Sequence, residues 1–331
     1  MAYIYKKTVG GKEYYYLRAS KRQGKRIIAK DIAYLGSSIA EARASLAKLP
    51  AKEIRAAYRK ITHFLESNAW LEQAKKLKLR QSPFIEQFLL EQVEACRLHW
   101  QKVFQKKDLR TQQEYFKRFA IDFAFNTTSI EGNTITLEEA GRLLTEQLTP
   151  KDKTLREIYD VQNTERVFLD IVKNAPEPSH ENIVNIHKEL MQNIDARTGY
   201  RTGDVHIVHA RFASTPAPYV KTDVGILLNW HKKSKTKLHP SICGGIFHHK
   251  FEKIHPFFDG NGRAGRMLLN EIMLNSSYPP IIVRKRNRAA YLEALGKADH
   301  SGLTAANPKD YKELIEFLAV ELVETYWNTF L

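Results

Sequence analysis

The chain has 331 residues, 43% of them hydrophobic and 27% charged, with 52 Lys and Arg against 37 Asp and Glu for a net charge of +15. That length and hydrophobic share argue for a large core with an appended module and against an intrinsically disordered chain. Two cysteines, Cys96 and Cys243, stand far apart without paired spacing, residues 1–7 lack an apolar leader core, and no uncharged apolar run reaches membrane length, so a disulfide scaffold and a membrane partner are not expected and a soluble, cytoplasmic protein is.

Residues 1–36 hold nine Lys or Arg against Glu13 and Asp31, nine minus two giving +7. Tyr3-Ile4-Tyr5, Tyr14 to Leu17 and Arg26 to Tyr34 read as three short antiparallel strands, with a turn at Gly10-Gly11. Aromatic side chains interleaved with cations on a small sheet bind nucleic acid through phosphate contact and base stacking, or they form a solvated face; both readings stay open here. Residues 37–109 read as a helical accessory region: a stretch from Glu41 to about Lys78, broken near Leu49-Pro50, then a helix from about Pro83 to Lys106. Asp108 to Ala124 carries Tyr115, Phe116, Phe119, Ile121 and Phe123, with Phe125 just beyond, as expected core positions and leads into the Glu131 segment. Further helices are expected near Leu137–Gln147, Leu155–Lys173, Ser179–Asn193, Thr222–Lys232, Pro240–Ile254, Arg263–Leu274, Arg288–Lys297 and Pro308–Trp327. The fold class is therefore mainly α: a helical core spanning 110–331, preceded by helices and a small N-terminal antiparallel β module.

The densest chemistry is His255-Pro256-Phe257-Phe258-Asp259-Gly260-Asn261-Gly262-Arg263-Ala264-Gly265-Arg266. It holds an imidazole that accepts a proton near neutrality, one carboxylate suited to a hard cation, a glycine-flanked turn and two fixed cations. The string links two helix-periodic runs, so it reads as a loop entering a helix N-terminus, where backbone N–H groups face an anion. His248 and His249 lie close by, but without HExxH or paired-Cys spacing, and zinc is not expected.

This string resembles the HPFx(D/E)GNGRxxR signature of the Fic family at every fixed position. The resemblance implies a helical Fic-type core with a β-hairpin flap, and an enzyme that moves AMP from ATP onto a Ser, Thr or Tyr hydroxyl of a protein, itself included. It implies His255 as the base that accepts the hydroxyl proton, Asp259 as the ligand of Mg²⁺ (or Mn²⁺), and Gly260, Asn261 and Gly262 as the anion cradle. Arg263 would hold the β phosphate or departing diphosphate, and Arg266 the γ phosphate. The kinase-like branch of the family has Lys where this chain has Gly262, which favours nucleotidyl over phosphate transfer.

Thr127-Thr128-Ser129-Ile130-Glu131-Gly132 resembles the family's inhibitory motif (S/T)xxxE(G/N), with Thr127, Glu131 and Gly132 at the fixed positions of a helix covering about 112–131. There the glutamate pairs with the second arginine, here Arg266, in competition with the γ phosphate. Gly199-Tyr200-Arg201, Val205 to Val208 and Pro216 to Val220 resemble the flap, expected over about 203–220 and made basic by His206, His209 and Arg211. Tyr291 and Asp299 stand where the family often contacts adenine or ribose, although Asp299 departs from the usual Asn. Two rival readings remain: a nucleic-acid-associated regulator acting through residues 1–36, and removal of AMP by the same site with Glu131 positioning a water.

Overall fold

Alternation in the first 36 residues builds a three-stranded antiparallel sheet in the order β1 (Ala2–Val9), β2 (Lys12–Gln23), β3 (Arg26–Gly36). Gly10 and Gly11, at φ 56° and 76°, form the two-residue turn that joins β1 to β2. Register places Ile4 opposite Leu17 and Leu17 opposite Ala33, on one face, while Tyr5, Tyr16 and Tyr34 align on the other. The first face is buried: Ile4, Tyr15, Leu17 and Leu35 share a core with Ile39 and Leu46 of α1 (Ile39–Leu46) and with Ile61 and Leu65 of α2 (Tyr58–Lys75). Ser38 caps α1 by accepting the Glu41 N–H at 3.1 Å.

This computed structural model describes residues 2–23, 26–50, 54–55, 57–205 and 214–331. The chain divides into two compact units, Met1–Leu79 with Leu331, and Arg80–Phe330. The three strands are thus part of a unit that also includes α1 and α2.

The second unit is helical: α3 (Gln87–Lys102), α4 (Leu109–Ile130), α5 (Leu137–Glu146), α6 (Leu155–Asn174), α7 (His180–Leu190), α8 (Val220–Ser234), α9 (Pro240–Ile254), α10 (Asn261–Asn275), α11 (Arg288–Ala298) and α12 (Pro308–Thr329). Of the expected core positions, Phe116, Phe119 and Phe123 are buried against Phe104, Phe168 and Phe330, while Tyr115, Ile121 and Phe125, off that helical stripe, are only half-buried. Asp108 caps α4, and Thr136 and Thr154 open α5 and α6 with reciprocal capping boxes to Glu139 and Glu157. Helix α7 ends at Leu190 rather than continuing to Asn193, and α10 begins at Asn261, two residues before the expected start at Arg263. None of the helices among the described residues is long and apolar enough to cross a membrane.

Candidate active site

Six residues connect α9 to α10, and each is fixed by a specific partner. His255 ends α9 in the left-handed region, φ 54° and ψ 62°, with its N–H returning to the Phe251 carbonyl at 3.0 Å. A residue with a β-carbon is disfavoured there, and such a conformation persists only when its surroundings hold it. Arg201 does so: its Nε donates to the His255 carbonyl at 2.8 Å and its backbone N–H to the Pro256 carbonyl at 2.9 Å. The same buried guanidinium donates to the carbonyls of Gly203, at 3.0 Å, and Thr215. Arg201, read from sequence as part of the flap, therefore ties both ends of that segment to the loop.

Phe257 is fully buried with the His187 ring stacked on it at 3.7 Å, and His187 Nε2 donates to the Asp259 carbonyl at 3.0 Å. Burial lowers the His187 imidazole to about 4, so it is neutral and carries its proton on Nε2. Asn261 accepts the Phe257 N–H and donates to the Phe257 carbonyl, both at 2.9 Å. Its side chain thus shapes the loop, and what it offers an anion is the backbone. Gly260 precedes α10 at φ 74°, and α10 has no side-chain cap, so its first N–H groups lack intrahelical acceptors.

His255 Nδ1 lies 3.4 Å from the Glu252 carbonyl, which can only accept; this keeps the proton on Nδ1 and leaves Nε2 as the acceptor. Burial pulls the imidazole below its usual 6.5, outweighing that carbonyl, and the Arg201 charge adds to the shift. A neutral ring at physiological pH is what a general base needs.

Asp259 lies at the mouth of the loop. Its Oδ1 accepts the Gly260 N–H at 2.6 Å, and its Oδ2 is paired with Arg156. Burial raises its pKa, but the Arg156 hydrogen bond and the charges of Arg263 and Arg156 outweigh that and leave it below the ordinary value. It is an ionised hard-oxygen donor. No group of three or more His, Cys, Asp or Glu among the described residues could enclose a metal; a lone carboxylate such as Asp259 suits a hard cation like Mg²⁺ where phosphates and water supply the remaining ligands.

The two arginines are buried, each 3% exposed. Arg263 pairs with Asp160 of α6, while its Nε is buried without an acceptor, a donor still available to an anion. Arg266 donates from Nε to Thr127 Oγ1 at 2.6 Å, and from Nη2 to the Thr127 carbonyl at 3.0 Å and Glu131 Oε1 at 2.6 Å. Glu131 sits at the C-terminus of α4, followed by Gly132 at φ 101°, and its carboxylate remains 44% exposed. A β-carbon on Gly262 would come within 2.2 Å of Glu131 Oε1, so the absent side chain at 262 makes room for the glutamate. Glu252 lies near Arg266 too, but burial lifts its carboxyl to about 8 and it stands protonated, leaving Glu131 as the charged competitor.

Tyr291 reaches this cluster through Arg266, with which its hydroxyl interacts, whereas Asp299 is held by His249. Tyr291 is 1% exposed with its hydroxyl on His248 Nε2 at 2.5 Å, a core position behind Arg266. Asp299 accepts from His249 Nε2 at 3.0 Å. In the flap segment, residues 206–213, with His206, His209 and Arg211, lie outside the described residues; 203–205 and 214–216 contain no strand, and from Ala217 the chain is helical. Arg156, Asp160 and His187 were not singled out by sequence. They lie on helices whose amphipathic pattern announces only packing, and nothing in their spacing marks them.

The helical fold and the sequence around this cluster can both be compared with known proteins. The sequence model of the Fic/DOC family matches residues 177–273, so the chain carries a Fic domain. Protein adenylyltransferase fic-1 of Caenorhabditis elegans is 29% identical over 203 residues, 60% of this chain and 38% of that protein. Protein adenylyltransferase Fic of Aedes aegypti is 26% identical over 214 residues, 61% of this chain and 40% of that protein. The match thus spans about two fifths of these relatives' length. Among solved structures, a Fic-domain signalling protein from Bacteroides thetaiotaomicron superposes with a TM-score of 0.65 at 20% identity, covering 71% of this chain and 94% of that one. Fic-1 of C. elegans gives 0.61 at 21%, covering 88% and 80%.

Proposed function

We propose that the chain is a protein adenylyltransferase: it transfers AMP from ATP, with Mg²⁺ or Mn²⁺, to a Ser, Thr or Tyr hydroxyl of a protein, itself included. The observation that carries this reading is the joint placement of a neutral His255, an ionised Asp259 and two buried arginines around the uncapped start of α10. In the reaction, His255 Nε2 takes the hydroxyl proton as the oxygen bonds to the α phosphorus, and the bond from that phosphorus to the diphosphate oxygen breaks. Arg263 and Arg266 receive the charge of the departing diphosphate, and the N–H groups of the Gly260–Gly262 turn hold the phosphates in line. The metal, held by Asp259, would neutralise phosphate charge. His255 later releases its proton to solvent.

The same reading makes Glu131 a self-inhibitor, supported by its 2.6 Å bond to Arg266. A guanidinium nitrogen engaged by a carboxylate is closed to a γ phosphate. We assign the inhibitory helix and flap to the unit Arg80–Phe330 and treat Met1–Leu79, where the strands share a core with α1 and α2, as the accessory part, and we place the protein in the cytoplasm, where Cys96 and Cys243 would stay reduced. Incubation with labelled ATP and cell extract tests the function; label transferred by Glu131→Gly and absent with His255→Ala is the expected result, and labelling independent of His255 would refute it. A second reading, nucleic-acid binding by residues 1–36, is favoured by Arg26 and Lys30 on exposed positions of β3. Removal of AMP is an alternative outcome of the same assay, read as loss of label from a modified protein.

A further inference from the structure

Both oxygens of Asp259 are engaged. Oδ1 accepts the Gly260 N–H at 2.6 Å and lies 3.8 Å from the Arg263 guanidinium, while Oδ2 accepts from Nη2 of Arg156. Arg156 belongs to no signature; it comes from the first turn of α6, 103 residues before Asp259 in the chain. Its backbone is firmly placed. The adjacent Glu157 accepts the Thr134 N–H at 2.9 Å and the Thr134 hydroxyl at 2.7 Å, and its carbonyl accepts from Asn133 at 2.9 Å, which ties α6 to the segment just after Glu131. The Arg156 side chain, by contrast, is 57% exposed. Its other acidic neighbours are committed elsewhere, Asp160 to Arg263 and Asp195 to Arg197.

A divalent cation and a guanidinium compete for the lone pairs of one carboxylate oxygen, and two cations in contact repel. Of the two arginines beside Asp259, Arg263 is buried and locked by Asp160, so Arg156 is the one free to leave, and an exposed pair is cheaply broken. We propose that Arg156 is a positioning residue that stands in for the divalent cation: it neutralises Asp259 while no metal is bound and yields Oδ2 when one arrives, so that it sets the metal concentration at which the site loads. This rests on Asp259 being the carboxylate that holds the metal.

Mn²⁺ titrated into the full-length chain saturated with ADP, with Mn²⁺ binding read from the paramagnetic resonance signal against the same titration of ADP alone, tests this independently of activity. Arg156→Gln is expected to bind Mn²⁺ about two- to fivefold more tightly than wild type, the range set by an exposed ion pair, with Arg156→Lys between them. Adding Asp259→Asn to Arg156→Gln removes the gain. Equal binding by wild type and Arg156→Gln, including none by either, overturns the proposal, and so does weaker binding by the variant, which would mean that Arg156 shapes Asp259 for metal. A gain that survives Asp259→Asn refutes the assignment of Asp259 itself.

Discussion

The N-terminal sheet and the loop between α9 and α10 are both dense in cations, and they hold them in opposite ways. In the sheet, Lys6 pairs with Glu13 at 2.8 Å and Arg18 with Asp31 at 2.6 Å in contact with water, and Lys7, Arg26 and Lys30 lie on exposed positions. Such exposed pairs contribute little to stability and are screened by salt. Arg263 and Arg266 are buried, where a guanidinium stripped of its acceptor costs several kcal/mol. They must always have a partner. On the proposed function, that requirement sets Glu131 and Asp160 in competition with a phosphate, whereas the sheet offers only a field. Burial, more than the number of charges, separates a site from a charged surface.

The comparison breaks most readily at His255. His255→Ala is expected to lower the transfer rate by about 10² to 10⁴ with ATP affinity by calorimetry nearly unchanged, because the imidazole bonds to no phosphate-binding group. Wild-type label incorporation by the variant would remove His255 from the chemistry. The pH profile is a second reading of the same residue. Since burial lowers the imidazole pKa below 6.5, the neutral, competent form persists beneath that pH. The acid limb of transfer therefore lies below 6.5, and a limb above it would contradict the buried environment.

Glu131→Gly comes next. A charge-assisted hydrogen bond contributes about 1.5–3 kcal/mol, and the partial exposure of Glu131 favours the low end, so label incorporation is expected to rise about tenfold. Arg266→Ala combined with Glu131→Gly should stay poorly active, since Arg266 is the group released. Equal labelling by wild type and Glu131→Gly at all ATP concentrations would reduce the α4 terminus to a helix cap.

Much of this was legible in the residues. The twelve-residue string has one acid, one imidazole and two arginines, so each role had one or two candidates, and the apolar periods on either side placed it at a helix start. The phenylalanine stripe of α4 gave its buried face directly. What stayed hidden were the partners. Arg156 and Asp160 meet the loop from 103 residues away, a pairing set by helix packing and not by local pattern. Asn261 looked like part of the anion cradle, but an amide between two backbone groups at 2.9 Å serves the loop first. Tyr291 is held in the same way by a partner that local pattern does not announce, its hydroxyl bonded to His248 Nε2.

A smaller effect sharpens the link between Gly262 and Glu131. The β-carbon of Gly262→Ala would meet the tip of a flexible side chain at 2.2 Å, with Arg266 Nη1 next at 3.1 Å. The carboxylate should give way before the fold does. We expect partial release of transfer, a few-fold and below that of Glu131→Gly, because 1.5–3 kcal/mol is the whole bond and the shifted glutamate keeps some of it. Unchanged melting with no gain in labelling would show that Glu131 re-forms its bond around the methyl.

The smallest effect concerns the sheet. Deleting residues 1–36 is a poor test of its charge, because Ile4, Tyr15, Leu17 and Leu35 share a core with α1 and α2, and their loss would expose Ile39, Leu46, Ile61 and Leu65. Neutralising Lys7, Arg26 and Lys30 to Gln leaves that core intact, since all three are exposed. If the sheet contacts a polyanion, the slope of log binding constant against log salt for duplex DNA should fall by about one for each phosphate contact removed. Transfer activity should not change. Identical weak binding and identical slopes for wild type and the triple variant would leave the sheet as a solvated face, whose ion pairs Lys6–Glu13 and Arg18–Asp31 already satisfy two of its cations at 2.8 and 2.6 Å.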